Sequence, residues 1–463
     1  MKILVAPNSM KGSLDAFAFA QSVEQAFRKV SPLFEVRTLP VADGGDFTAQ
    51  VLRRALSAVP VKLTVYDPLM RRIEATYFVS GKTAIIEMSD ASGLKLLSDG
   101  EANPEKTSSF GTGEMIAHAV TNGCNTILLG IGGSATVDGG LGMLDALGFQ
   151  FSDASGNRLP GVGASLEKVA AVIPVKFSSE ISIKIICDVE NPLLGAAGAA
   201  RIFGPQKGAD PEMVERLEAG MTNWAGILEA SAGIRMTDRA GMGAAGGIST
   251  GLVAWLGAEM VEGADFIFDL LNLDEQLGWA DWVITGEGKI DGQSLGNKAP
   301  VALARRARAK GKPVTALAGT FEPQATHLFD GVFPVVTGPV SLREAISRAE
   351  ELVFESSCQL ARLLLQAATL QLPGFVQLRK AEIMLEQNQV EAAEALLDSG
   401  LPENLAGYWY LRGLLEQKKQ QLGAAINCYL RCQELDPGHA AAAHNQLMVR
   451  QILSFWNPDL YNP

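Results

Sequence analysis

The chain has 463 residues, more than one hydrophobic core ordinarily supports, so two or three domains are expected. Hydrophobic residues at 47% and charged residues at 19% exclude a disordered or fibrous chain. With 51 acidic against 39 basic side chains the net charge is −12, which excludes a broad footprint for nucleic acid or anionic membrane and leaves room for a local cationic pocket for a small anion. Five scattered cysteines and four histidines argue for reduced thiols and against a zinc site. The apolar start, MKILVAPNSMKGS, is too short for a signal segment, and glycines break up the charge-free stretch 240–258. A soluble, cytoplasmic protein is expected.

In chain order, 2–6 (KILVA) predicts a buried strand, followed by a loop and a helix over about 14–29. A second strand over 35–40 ends at Val41-Ala42-Asp43-Gly44-Gly45. Between about 60 and 90 the segments VKLTVYD, IEATYFV and TAIIEM alternate with period two and predict antiparallel strands. Then come strand-and-glycine units: 126–129 followed by GIGGSATVDGG, 183–187 followed by Asp188, 282–285 followed by GEGKIDG, and 314–318 followed by Gly319-Thr320. Repeated strand–loop–helix text predicts α/β architecture with parallel sheets and a mixed-sheet insertion. Of 48 glycines only six follow residue 373, and the breaker pair Pro373-Gly374 places a boundary near 372. Beyond it the pattern is helical over 378–386, 390–397, 408–416, 424–435 and 440–455. Trp409, Gly413, Ala425, Tyr429 and Pro437 fall at the spacings of a 34-residue helix–turn–helix repeat, and 375–402 is a shorter earlier copy. This all-α tail resembles a tetratricopeptide pair plus a final helix. Two units are fewer than the three usually needed for independent stability, so the tail is expected to dock on the main body or to self-associate, and it could take a protein or peptide partner.

The first 372 residues place small and charged groups together. Glycine-rich loops after strands carry Lys11, Asp43, Asp138, Asp188, Lys207, Glu287, Lys289 and Asp291. Strand ends are where open α/β sheets bind ligands, and glycine lets backbone amides approach a phosphate closely. Neither G-x-x-x-x-G-K-[ST] nor a complete G-x-G-x-x-G in the right context occurs. The loops together still point to a phosphate-handling enzyme that positions reactants and neutralises charge.

Residues 1–372 resemble the bacterial glycerate kinase family, class I, the glycerate 2-kinases. The resemblance rests on APNSMKGS (6–13), PVADGGD (40–46), TSSFGTGE (107–114), GIGGSATVDGG (130–140), CDVENPLLG (187–195), FGPQKGA (203–209), GAAGGI (243–248) and VITGEGKIDGQS (283–294). It implies ATP-dependent, Mg²⁺-assisted phosphorylation of D-glycerate to 2-phosphoglycerate. It also implies a two-domain fold: a discontinuous Rossmann-like domain (1–75 and 262–372) and an inserted α/β domain (76–261), followed here by the tail (373–463), with the site expected in the cleft between the two domains.

D-glycerate carries a carboxylate and ATP a polyphosphate, so the site needs cations. Lys11 is expected to meet the substrate carboxylate or the transferring phosphoryl group. Arg71 matches the family's arginine after Pro-Leu-x, and Lys207 its Gln-Lys-Gly. The C2 hydroxyl is a poor nucleophile, so a carboxylate should accept its proton: Asp188 first, Asp43 second. Glu287 and Asp291 are the candidate Mg²⁺ ligands. The loop with Gly132, Gly133, Ser134, Thr136 and Asp138 is the candidate phosphate cradle, and Ser13, Gly286 and Lys289 complete the expected binding set. Where the family usually has Asp and Phe, this chain has Asn8 and Met10; where it continues Glu-Gly-Thr after Asp43-Gly44-Gly45, this chain has Asp46-Phe47-Thr48. Two other readings accompany the kinase: a kinase for another small hydroxy acid, and a catalytically impaired copy that acts as an interaction module through its tail.

Overall fold

The structure is a computed structural model and describes residues 1–45, 47–175, 181–292, 298–371 and 374–456. Its strands, among the described residues, are β1 (Lys2–Val5), β2 (Glu35–Thr38), β3 (Val59–Tyr66), β4 (Arg72–Ser80), β5 (Thr83–Glu87), β6 (Thr126–Gly130), β7 (Gln150–Ser152), β8 (Ala171–Ile173), β9 (Ser182–Cys187), β10 (Glu259–Glu262), β11 (Trp282–Ile290), β12 (Val314–Phe321) and β13 (Gly331–Pro334). The chain divides into two compact units, one of residues 1–40, 274–294 and 303–463, the other of 41–273 and 295–302.

The first unit is built on a five-stranded, all-parallel sheet in the order β13-β12-β11-β1-β2. Ile3, Leu4 and Val5 are buried in succession, as expected of a strand covered on both faces. The helix Ala16–Val30 starts at Asp15, whose carboxylate accepts from the Phe17 and Ala18 amides, both at 2.8 Å. It ends with Arg28 and Lys29, which complement the helix dipole. Phe19, Ala20, Val23 and Phe27 form its buried face, against which the helix Ala349–Gln371 packs.

The expected helical tail is present as Phe375–Glu386, Val390–Leu397, Ala406–Lys418, Leu422–Leu435 and Ala440–Trp456. It is not a separate domain. One apolar core runs from Met1 and Phe34 through Leu352 and Val353 to Leu378, Tyr429 and Val449. Arg28 pairs with Asp436 at 3.2 Å, His439 Nε2 lies 3.0 Å from the Pro32 carbonyl, and Ser31 donates to Glu382 at 3.4 Å. Of docking and self-association, docking is what the fold displays. The boundary expected at 372 falls on residues 372 and 373, outside the described residues.

The second unit carries a six-stranded sheet in the order β10-β9-β6-β5-β4-β3. Its first four strands are parallel, and β4 and β3 continue it antiparallel. The period-two text thus gives the antiparallel strands expected, while β5 also joins the parallel set. The boundaries expected at 75 and 262 consequently differ from those observed at 40/41 and 273/274: residue 75 lies within β4, and β3 pairs along its whole length with β4. Phe149, Phe151, Trp224 and Trp255 stack edge and face at the centre of this unit's core. Among the described residues no helix is long and apolar enough to cross a membrane.

Candidate functional site

In the first unit the C-terminal ends of β1, β11 and β12 bring one group of expected residues to a common edge. The Ala6 amide donates to Ile284 O at 2.7 Å and the Asn8 amide to Gly286 O at 2.8 Å, so the loop after β1 follows β11 beyond the sheet. A methyl added to Gly288 would lie 3.6 Å from the Lys11 amide nitrogen, and one on Gly319 would meet Gly288 O at 2.6 Å. The Lys11, Glu287–Lys289 and Gly319 segments therefore touch. Lys11 is exposed, whereas Glu287 is buried. Lys289 pairs with Asp291 at 2.9 Å and Glu322 at 3.4 Å. Ser13 Oγ donates to Met10 O at 3.1 Å and closes the turn. Gly286 is buried between the Leu317 carbonyl and the Phe19 ring, where it spaces β11 from its neighbours. Asn8 Oδ1 accepts from the Ser9 amide at 2.8 Å, an arrangement that a carboxylate would reproduce.

In the second unit the matching edge is the C-terminal end of β5, β6, β9 and β10. Asp43 is buried, accepting from the Gly45 amide at 3.2 Å and from the Ala299 amide at 3.3 Å. Gly44, at φ +101°, lies so close to Ile186 O and Cys187 N that a Cβ would sit 3.1–3.2 Å from them. A side chain at Gly263 would overlap Asp43 O at 1.7 Å. The glycines thus seat the Asp43 loop directly on the ends of β9 and β10. Asp188 follows β9, half-buried, in the wall of a hollow of about 150 Å³ shared with Glu190, Gly241, Met260 and Glu262. The adjacent Cys187 thiol is pushed up to about 12 by burial, so it is no nucleophile at neutral pH. The two candidate bases therefore adjoin one strand end.

The loop after β6 separates into an outer and an inner part. Gly133 is exposed and Gly132 half-buried, and Ser134 lies just beneath the surface. Lys207, only 1% exposed, donates to Ser134 Oγ at 2.7 Å and to Thr136 O at 2.6 Å. Burial pushes its ammonium down to about 7, with Asp138 pulling the other way. Thr136 and Asp138 are fully buried. Asp138 accepts from the Ser109 amide and hydroxyl (2.8 and 2.7 Å) and from the Gly140 and Gly142 amides (3.1 and 3.3 Å). Both were expected to touch phosphate; the structure places them behind the loop, where Asp138 ties it to the start of the helix Phe110–Thr121. Arg71 is also committed, its guanidinium bonding Asp67 at 2.5 Å, Glu101 at 2.8 Å and Leu96 O at 3.2 Å. The Ala102 carbonyl after Glu101 would meet a Cβ on Gly208 at 2.2 Å, so the segments that carry this brace and Lys207 touch.

Glu87 was not among the expected residues. It ends β5, is buried, and accepts from the Phe47 amide at 3.0 Å and the Ala49 amide at 3.3 Å, so it anchors the segment that follows the Asp43 loop. Burial pushes its carboxyl up to about 7, Asp90 adding to the rise and Lys95 with the two amides opposing it. An apolar strand ending in an acid, the pattern that picked out Asp188, also fits Glu87. Phe47 holds φ +68°, the left-handed backbone that the family's glycine there would adopt without strain. Asp46 lies outside the described residues.

A family model described as "Glycerate kinase family" matches residues 3–365. A glycerate kinase of Haemophilus influenzae is 40% identical over 79% of this chain and 99% of its own length. A glycerate 2-kinase of Escherichia coli K12 is 39% identical over 79% and 98%. A crystal structure from Salmonella typhimurium LT2, provisionally named glycerate kinase 2, is 41% identical and superimposes with a TM-score of 0.70 over 80% of this chain and all of its own.

Proposed function

Because this chain belongs to the glycerate kinase family, we propose that it transfers the γ-phosphoryl group of ATP to the C2 hydroxyl of D-glycerate, forming ADP and 2-phosphoglycerate. The observation that carries the residue-level reading is the seating of Asp43 and Asp188 at the end of one strand, between glycine-rich loops. Asp188, the more open of the two, accepts the hydroxyl proton as the new P–O bond forms and the bond to the ADP oxygen breaks. Asp43 orients the loop through the Gly45 and Ala299 amides. Lys11 meets the carboxylate or the transferring group, and Gly132, Gly133 and Ser134 offer backbone and hydroxyl donors to phosphate, with Lys207, Thr136 and Asp138 holding that loop from within. Arg71 serves as a brace for the segment that touches the Lys207 loop.

Among the described residues no group of three or more His, Cys, Asp or Glu side chains could hold a metal ion. Glu287 and Asp291 nevertheless fit Mg²⁺, which takes one or two carboxylates and completes its shell with water and phosphate oxygens. Bound there with the nucleotide, it would neutralise phosphate charge.

The tail fits a tetratricopeptide-like pair capped by a last helix. Supporting this, a Cβ on Gly413 would lie 2.4 Å from the Tyr429 ring, a small residue where two antiparallel helices touch. A cytoplasmic setting suits a kinase fed by ATP.

A coupled assay of ADP release, with ³¹P NMR to separate 2- from 3-phosphoglycerate, tests the reaction. Folded protein that releases no ADP in response to D-glycerate, with ATP and Mg²⁺ present, overturns it.

A further inference from the structure

In the first unit a pocket of about 440 Å³ opens where the helices Ala16–Val30, Ala349–Gln371 and Phe375–Glu386 meet. Its wall carries Lys29 from the first helix, Arg362 and Gln366 one turn apart on the second, and Arg379 from the third, with Cys358 and Leu365 as apolar lining. Among the described residues no carboxylate lines it. Among the described residues Lys29 and Arg362 have no ion-pair partner; the Lys29 ammonium lies 5.1 Å from the Phe354 ring centroid. Arg379 is held in place by Glu382, which Ser31 also contacts. Burial raises the Cys358 thiol, while Lys29 and Arg362 act against that rise and Glu355 with it, so the field of both cations reaches the pocket wall.

Two cations without an ion-pair partner and a third held by Glu382, around a hollow that no described carboxylate lines, in a chain of net charge −12, select for a small anion. The volume falls within the range of small-molecule sites. Among the described residues the lining contains no aromatic ring on which a base could stack, which disfavours a nucleotide. Guanidinium groups instead match phosphate and carboxylate oxygens in pairs. The pocket is also removed from the loop that carries Lys11. That loop precedes the first helix, Lys29 ends it, and 15 helical residues span roughly 20 Å. Lys29, Val30, Cys358, Arg362 and Leu365 lie within the family match and Gln366 and Arg379 beyond it, so the pocket sits where the kinase region meets the tail.

We propose that this junction pocket binds a small phosphorylated carboxylic acid, the chemical class of the reaction product, as a second site. The choice of ligand rests on the kinase reading; the pocket itself does not. Equilibrium binding of labelled 2-phosphoglycerate to the full chain tests it, alongside a Lys29→Gln/Arg362→Gln double variant whose fold is checked by circular dichroism and whose turnover without added product is expected to be normal. Two sites are expected in the wild type, with one weakened tenfold or more in the variant. A single site that the double substitution leaves untouched overturns the proposal. A single site lost in the variant supports the pocket and counts against the kinase reading instead. Should ADP or inorganic phosphate show the variant-sensitive site while 2-phosphoglycerate does not, the assigned ligand class is overturned.

Discussion

Glu87→Gln separates a buried titrating carboxyl from its shape. In the folded chain this carboxyl is pushed from 4.5 up to about 7, so the native state holds its proton over a range in which the unfolded chain has released it. Its favourable contribution is complete below pH 4.5 and disappears as pH rises through 7. The shift corresponds to about 3 kcal/mol. Glutamine keeps one acceptor for the Phe47 or Ala49 amide and cannot ionise. Urea unfolding of both proteins at pH 5 and pH 8, followed by circular dichroism, should show the wild type losing about 3 kcal/mol more than the variant between the two conditions. The comparison has to be between proteins, because Lys207, pushed down to about 7, adds a slope of opposite sign from neutral pH upward. Parallel pH dependence in the two proteins would refute the reasoning.

Asp188→Asn should lower turnover by about 100-fold or more with little change in melting temperature; a near-normal rate across pH 6–9 would transfer the role of base to Asp43. Lys207→Met should remove a pH effect: the depressed ammonium makes the wild type gain roughly 2 kcal/mol relative to the variant between pH 7 and 9, and the same unfolding experiment reads it. Phe47→Gly relieves a left-handed strain of roughly 1–2 kcal/mol against a glycine entropy cost of about 0.5–1 kcal/mol, and the half-exposed ring loses little burial. A small rise in melting temperature is therefore expected, and a fall would contradict it. Gly413→Val drives a side chain into the Tyr429 ring and should cost about 1–3 kcal/mol, seen by calorimetry as earlier melting of the unit that contains the tail.

Strand ends were readable because apolar runs stop abruptly, KILVA at Pro7-Asn8 and TILL at Gly130, and the structure places most of the candidate residues on those edges. Partners were less readable. The alternation in VKLTVYD identifies β3 but carries no information about which sheet it joins, and the expected boundary moved for that reason. Asp138 and Lys207 illustrate a second limit. An acid in a glycine loop looks the same in sequence whether it faces solvent or is wrapped by its own amides, and only the close approach of Ser109, Gly140 and Gly142 decides it. Glu87 escapes notice because TAIIEM reads as one more period-two antiparallel segment, and nothing in it shows that β5 joins the parallel strands. Counting two repeat-like units, by contrast, left docking and self-association of the tail both open, and the core shared with Met1, Phe34 and Leu352 displays the docking.

The shared core of the first unit has a consequence for synthesis. Arg28 and its ion-pair partner Asp436 are separated by 408 residues, and the apolar side of the helix between Asp15 and Ser31 leaves the ribosome long before the helix that packs on it. At ordinary elongation rates its cover, the helix Ala349–Gln371, arrives on the order of 15–70 s later. A nascent chain in that interval exposes Phe19, Val23 and Phe27 without the helix that shields them, so biogenesis should depend on holding chaperones, and a premature stop before residue 349 should yield aggregate rather than a smaller working enzyme.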